Sequence, residues 1–316
     1  MIPVVSIILP TFNRMQFLPS TIDSVFAQTF AQWELIISDD GSDAETKAYL
    51  QSLRDPRVKV IGLSHTGRPS VVSNVALRGA RGEFVAFLDS DDLWLPGKLE
   101  AQIASLRRHP TRQWSYTRFA LIDESGKPTA STRDRDRPAS AGWVQEKLLK
   151  AEFVIAQPSV VVSRKLLEHL GPFDEELIMC YDDELWFRLA AHSEIDSVDE
   201  PLTLIRRHGH HSGSDSQAWR DRRSVFEKLL RANRGGHLEP MLHKLRAEMS
   251  AGLAKSHARY GKRIDALSTL FLSVPHSWRY PLSWISAVLV TADRFAPQPL
   301  RTLLRRYRDS NRVRHP

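Results

Sequence analysis

Along the first two hundred residues, short apolar runs alternate with segments whose apolar residues recur at helical intervals. Val4 to Leu9 is a β-branched run closed by Pro10, which predicts a buried parallel strand opening onto the loop Thr11 to Arg14. Phe17, Ile22, Val25 and Phe26 follow at helical spacing. Trp33 to Ser38 predicts a second strand, stopped by Asp39-Asp40-Gly41-Ser42-Asp43. A third strand is expected at Val58 to Ile61, a helix at Ser70 to Arg78, and a fourth strand at Glu83 to Leu88, ending in Asp89-Ser90-Asp91-Asp92. Strands alternating with helices predict an α/β fold with a mainly parallel open sheet. In such sheets ligands bind beyond the carboxyl ends of the strands, where both acid clusters fall.

Beyond the amphipathic segment Lys98 to Arg108 the alternation becomes irregular. Strands are expected at Gln113 to Leu121 and Ser159 to Ser163, with the polar, proline-bearing stretch Ser125 to Ala141 read as a mobile loop between them. Asp183 to Ala191 predicts a helix. Leu202 to Arg207 predicts a last short strand leading into His208-Gly209-His210-His211-Ser212. After about residue 218 the pattern turns helical, with Leu253, Tyr260, Ala266 and Leu270 marking a helix pair that packs on itself.

Composition narrows the class. A chain of 316 residues with 42% hydrophobic content can bury a full core, which excludes disorder as its main state. One cysteine, Cys180, rules out an internal disulfide framework and also argues against a structural zinc at the neighbouring histidines. The N-terminus lacks the features of a signal peptide, and no apolar run reaches 18 residues. The expectation is a cytoplasmic protein that is soluble or lies on a membrane. Net charge is +7, which suggests an acidic partner. Yet 301–316 alone holds six arginines against Asp309, and no nucleic-acid motif is present, so nucleic acid is not expected as a partner.

Asp89-Ser90-Asp91 is an acid-x-acid motif at a strand end. Such carboxylates are hard oxygen ligands suited to Mg²⁺ or Mn²⁺ held jointly with a diphosphate, because these ions keep positions open for phosphate and water. The plain alternative is a turn with solvated acids. Asp39 to Asp43 could likewise be a helix-capping turn. Their coincidence at strand ends of one sheet favours a ligand site.

In these residues the chain resembles the glycosyltransferase family 2 enzymes, which have the nucleotide-binding GT-A fold. The resemblance runs through Val5 to Arg14, Gln28-Thr29-Phe30 with Trp33 to Asp43, and Gly82 to Asp92. It implies a nucleotide-sugar-binding half at 1–110, an acceptor and catalytic half at 111–217, and a helical extension at 218–316. It also implies that Pro10, Thr11, Asn13 and Arg14 line the donor pocket, that Asp40 hydrogen-bonds the base, that Asp89 and Ser90 lie on the ribose side, and that Asp91 holds the metal. Where many members carry Ala-Arg-Asn this chain has Val72-Ser73-Asn74. Asn74 stays in the donor pocket by this alignment, and Arg68 either takes the missing arginine's phosphate role or is solvated.

Direct displacement with inversion at the anomeric carbon needs a carboxylate to take the acceptor hydroxyl's proton. Gly171-Pro172-Phe173-Asp174 and Tyr181-Asp182-Asp183-Glu184-Leu185-Trp186 resemble the family's turn and acid motif, which puts Asp182 at the base position. Tyr181 stands where an acid is usual, so a one-residue slip to Asp183 stays open, as does a helix-capping role for both. Ile205-Arg206-Arg207-His208 is similar to the family's Tyr-Arg-x-His stretch, and His208 is a metal or diphosphate ligand or a structural histidine. The resemblance implies a nucleotide-sugar donor, UDP-linked by default, and a glycan or lipid-linked acceptor. Trp284 to Val290 and the set Leu300, Leu303, Leu304 and Tyr307, flanked by arginines, read either as basic helices lying on an anionic membrane or as ordinary packing before a charged tail.

Overall fold

The computed structural model describes residues 2–129, 139–208, 215–277 and 280–295. The chain divides into two compact units, 1–177 with 181–211, and 178–180 with 212–316.

In the first unit β1 (Val5–Thr11), α1 (Leu18–Phe26), β2 (Trp33–Asp39), α2 (Ala44–Ser52), β3 (Val58–Gly62), α3 (Pro69–Leu77) and β4 (Phe84–Phe87) follow the expected alternation. β5 (Leu93–Trp94), α4 (Lys98–Arg108), β6 (Trp114–Ile122), α5 (Gln145–Leu149), a 3-10 turn at Gln157–Ser159, β7 (Val160–Ser163), α6 (Arg164–Leu170), α7 (Tyr181–His192) and β8 (Ile195–Arg206) complete it. All eight strands join one sheet in the order β3-β2-β1-β4-β7-β6-β8-β5. The first four run parallel, with Thr11 opposite Asp39. Beyond β4 the sheet is mixed: β7 is antiparallel to β4 and β6, β5 is antiparallel to β8, and β6 and β8 are parallel.

Because successive strand residues point to opposite faces, each strand feeds two cores. Ile8, Ile36, Val85, Phe87, Val160 and Val162 pack with Trp114, Phe173 and Trp186 on one face. Val5, Ile7, Leu9, Leu35, Ile37, Ala86 and Val161 pack with α1 and α4 on the other. That double burial is why the first strands read as continuous apolar runs. β8 is twice as long as its sequence pattern suggests. Its first half, Ile195 to Val198, pairs with Trp114 to Thr117 before a register shift, and the polar stretch Asp199-Glu200-Pro201 hides the continuity.

The second unit contains α8 (Asp215–Ala232), α9 (Glu239–Arg259), α10 (Arg263–Ser277) and α11 (Pro281–Phe295). Ala251 and Ala254 of α9, Leu270 of α10 and Ala287 of α11 form its core, with Trp284 and Val288 packed against it. The Trp284 indole donates to the Leu270 carbonyl at 3.3 Å. Within Trp284 to Val290, Trp284, Ala287 and Val288 thus pack on the helices, while Ile285 is exposed. The set Leu300 to Tyr307 and the arginines after it lie outside the described residues, as do His210 and His211 and most of the expected loop Ser125 to Ala141. Among the described residues no helix is long and apolar enough to cross a membrane.

Candidate active site

The carboxyl ends of β1, β2 and β4 open on one side of the sheet, and the loops that follow them are tied together. Asn13, in the left-handed region at φ 50° that asparagine tolerates, donates its N–H to Ser42 Oγ (2.9 Å) and accepts from the Asp43 N–H (2.8 Å). The Asp40 N–H donates to the Thr11 carbonyl (2.9 Å). Both Asp40 oxygens are occupied, one by the Thr66 N–H (2.7 Å) and the other by the Gly67 N–H (2.9 Å), with His65 Nδ1 also 3.0 Å away. His65 stacks on the half-exposed Phe12 ring at 4.1 Å. Phe12 and His65 carry no periodic signal in the sequence, and only folding makes them a platform beside Asp40. Thr11 Oγ1 is buried at this strand end without a hydrogen-bond partner, a polar atom with its desolvation uncompensated. Pro10 sits one residue back in β1, opposite Ser38.

At the end of β4 the acids converge. Burial pushes the Asp89 carboxyl up to about 8, and the charges of Asp91 and Asp182 push the same way. Asp92 is raised well above the ordinary range by burial, then by Asp89 and Asp91. Gln157 donates to Asp89 (3.2 Å), and burial next to Asp89 and Asp182 raises the Tyr181 hydroxyl. Asp182, distant in sequence, is therefore a near neighbour of Asp89, in the first turn of α7 together with Asp183. Tyr181 anchors that turn by meeting the Phe173 ring edge-on at 5.2 Å. The Ser90 carbonyl accepts from Thr21 Oγ1 at 3.2 Å.

Asp91 faces an imidazole and a guanidinium. His208 Nε2 lies 2.8 Å from Asp91 Oδ2, within hydrogen-bond distance, and Arg14 Nε lies 3.5 Å from the same oxygen. His208 is buried and stacks on Phe17 at 5.2 Å. Arg206 straps the turn. Its N–H donates to Asp92 (2.7 Å), its Nε to the Asp91 carbonyl (2.8 Å) and its Nη1 to the carbonyls of Asp123 and Glu124 (3.2 and 2.9 Å). Sequence reading placed Arg206 only inside a resembling stretch, without a task.

Two residues grouped with the donor pocket hydrogen-bond to the turn at 173–175. Asn74 is buried, donates to the Phe173 carbonyl (2.9 Å) and Glu175 Oε1 (3.0 Å), and accepts from the Phe173 N–H (3.1 Å). That amide fastens the turn leading to α7, with both its N–H donors spent there. Arg68 reaches the same turn, donating to the Glu175 carbonyl at 2.8 Å. Ser73, at the position where the family resemblance expects arginine, is fully buried.

The amino-acid sequence matches the family model described as Glycosyl transferase family 2 over residues 6–170, just over half of the chain. The chain belongs to this family. The family 2 chain is 31% identical over 198 residues to the UDP-Glc:alpha-D-GlcNAc-diphosphoundecaprenol beta-1,3-glucosyltransferase WfgD of Escherichia coli, covering 62% of itself and 73% of WfgD. It is 38% identical over 128 residues to TuaG of Bacillus subtilis, named for teichuronic acid biosynthesis, but spans only half of that protein and uses 40% of its own length. Residues 1–349 of S. aureus TarS, in a crystal structure with UDP-GlcNAc, share its fold at a TM-score of 0.68 and 20% identity, over 97% of this chain and 92% of TarS 1–349.

The carboxylates at the acid end are hard oxygen donors of the type that Mg²⁺ or Mn²⁺ would take. Burial first, and neighbouring acids second, raise Asp89 and Asp92, and a divalent cation would offset that negative charge. Among the described residues no three His, Cys, Asp or Glu side chains can close round an ion by themselves. Asp91 and His208 would supply two ligands, and phosphate and water the rest, as Mg²⁺ usually requires.

Proposed function

We propose that the chain is an inverting glycosyltransferase that moves a sugar from a nucleotide-diphosphate donor, UDP-linked, to a hydroxyl of a glycan or lipid-linked acceptor in cell-surface polysaccharide synthesis. The observation that carries this reading is the convergence of Asp89, Asp91 and Asp182 at one buried spot, where burial first and the two neighbouring charges second raise Asp89 to about 8. Such a cluster would serve a metal-bound diphosphate with a separate carboxylate beside it. The names of WfgD and TuaG support the polysaccharide assignment, and the crystal structure of TarS with UDP-GlcNAc supports the donor class.

Thr11, Asn13 and the platform of Phe12 and His65 would receive the nucleotide, with Asp40 shaping the loop through its grip on Thr66 and Gly67. Asp91 and His208 would hold Mg²⁺ or Mn²⁺. When bound, the ion offsets the charge that builds on the departing diphosphate. Asp182 would take the proton of the acceptor hydroxyl as that oxygen bonds to the anomeric carbon. The bond from that carbon to the donor phosphate oxygen breaks, and the diphosphate leaves with the electron pair.

Calorimetric titration of UDP, GDP and their sugars, with and without Mn²⁺, tests the reading on the wild type and on Asp91→Ala. Metal-dependent binding of one nucleotide, weakened at least about tenfold in the variant, is expected for a lost charged ligand. Binding that ignores the metal would remove Asp91 from the ligand set. A nucleotide bound without any transfer would make the chain a degenerate binding member.

A further inference from the structure

α10 is a helix turned inside out. Its buried face consists of Ala266, Thr269, Leu270 and Ser273, three of them small or hydroxyl-bearing. The two hydroxyls are spent on the helix itself, Thr269 donating to the Asp265 carbonyl (2.7 Å) and Ser273 to the Leu270 carbonyl (2.8 Å). Apart from Leu270, its large apolar side chains in the described part are exposed. Ile264, Leu267, Phe271 and Val274 are exposed by 81, 49, 77 and 43%. At 3.6 residues per turn these four share roughly a quarter of the helix circumference and run about 15 Å along it. Leu272, 66% exposed, flanks them. A surface helix of a globular protein ordinarily has the opposite arrangement, and an apolar stripe facing water marks an interaction surface.

We propose that this face of α10 lies in the surface of an anionic bilayer. The charge around it selects this occupant. Arg259, Lys262 and Arg263 stand at the start of the stripe, and the only acid of α10, Asp265, lies off the apolar arc. In sequence, 301–316 adds six arginines against one acid. A second copy of the chain would bring the same cations to the interface, whereas an anionic headgroup layer brings the opposite charge. A helix of 15 residues is too short to span a bilayer, which needs about 20, so it would lie in the interfacial plane with Phe271 and its aliphatic neighbours among the acyl chains. The inference rests on the reading of a lipid-linked acceptor for its purpose, but its test needs neither donor nor transfer.

The experiment is flotation of the full chain with vesicles of phosphatidylcholine alone and of phosphatidylcholine mixed with phosphatidylglycerol, compared with the triple variant Ile264→Ser, Leu267→Ser, Phe271→Ser. The wild type is expected to float with the anionic vesicles, less so at high salt. The triple variant should lose at least about tenfold in partitioning, since each buried methylene contributes to insertion. Its melting curve and UDP titration should be unchanged, because the three positions are exposed. Undiminished flotation of the variant would overturn the proposal. So would a wild type that ignores vesicles and runs as a dimer that the triple substitution converts to a monomer, which would make the stripe a subunit interface.

Discussion

Asp182 and Asp89 are neighbours with separate expected tasks, and single substitutions separate them. Asp182→Asn keeps the shape of the α7 turn while removing the proton acceptor. Donor affinity should stay within about twofold while kcat falls by about 10²–10⁴, the usual worth of a general base. If kcat is untouched and Asp183→Asn abolishes it, the base is the next residue along. Asp89 bears on stability instead. Between the ordinary carboxylate range and about 8 the folded protein keeps a proton on Asp89 that the unfolded chain has released. Stability of the metal-free protein should therefore fall as pH rises through that window. Melting temperatures from about pH 5 to about pH 8 check this, and Asp89→Asn, which has no proton to lose, should flatten the slope. The sequence foreshadows this cluster because acids at strand ends of a parallel sheet have one place to go. It does not foreshadow Asn74, whose amide is consumed by Phe173 and Glu175, residues about a hundred positions away. Nor does it reveal Arg206, since four of its acceptors are backbone carbonyls or a carboxylate that only folding delivers.

At the scale of elements, the loop after β2 depends on Gly41. Its φ is +78°, and a Cβ there would lie 2.8 Å from the His65 N. Gly41→Ala should cost about 1–3 kcal/mol through strain and backbone collision. It should also weaken UDP binding, because the displaced segment 65–67 is the one that holds Asp40. Denaturant melts and UDP titration of the variant measure the two effects, and a fully stable variant with normal affinity would show that the loop adapts. The strands of the parallel half were readable from their apolar runs, and α4 matches its expected span. β5 was not readable, since two residues make no pattern, and the short helices α5 and α6 fall below the length at which periodicity shows. The exposed stripe on α10 was hidden for another reason. An apolar periodicity states that a helix has two faces, and leaves open which of them meets the fold.

Across the whole molecule, two buried acids hold distant parts of the first unit together. Burial works against ionised Glu34, but hydrogen bonds from Ser6 and Arg81 outweigh it and lower its pKa. Asp196 is likewise lowered against burial by Ser105, His109 and Arg112, which joins β8 to α4 and to the chain before β6. Their contribution is present above the unfolded carboxylate range and lost as pH falls through their lowered values. Thermal melts should therefore collapse on acidification below about pH 4, the limb opposite to that set by Asp89. Glu34→Gln should soften the acid limb alone, and an unchanged limb would assign it to other carboxylates.

The sheet order has a consequence for how the chain is made. β5 is complete at Trp94, but its partner is Thr203 and Leu204 of β8, and Asp91 meets its histidine only at His208. A nascent chain emerging from the ribosome can therefore assemble the parallel half early while the acid turn stays unstrapped until more than a hundred further residues have followed. On the proposed reading, donor binding would be the last property this unit acquires during synthesis, because Asp91 gains its His208 contact only then.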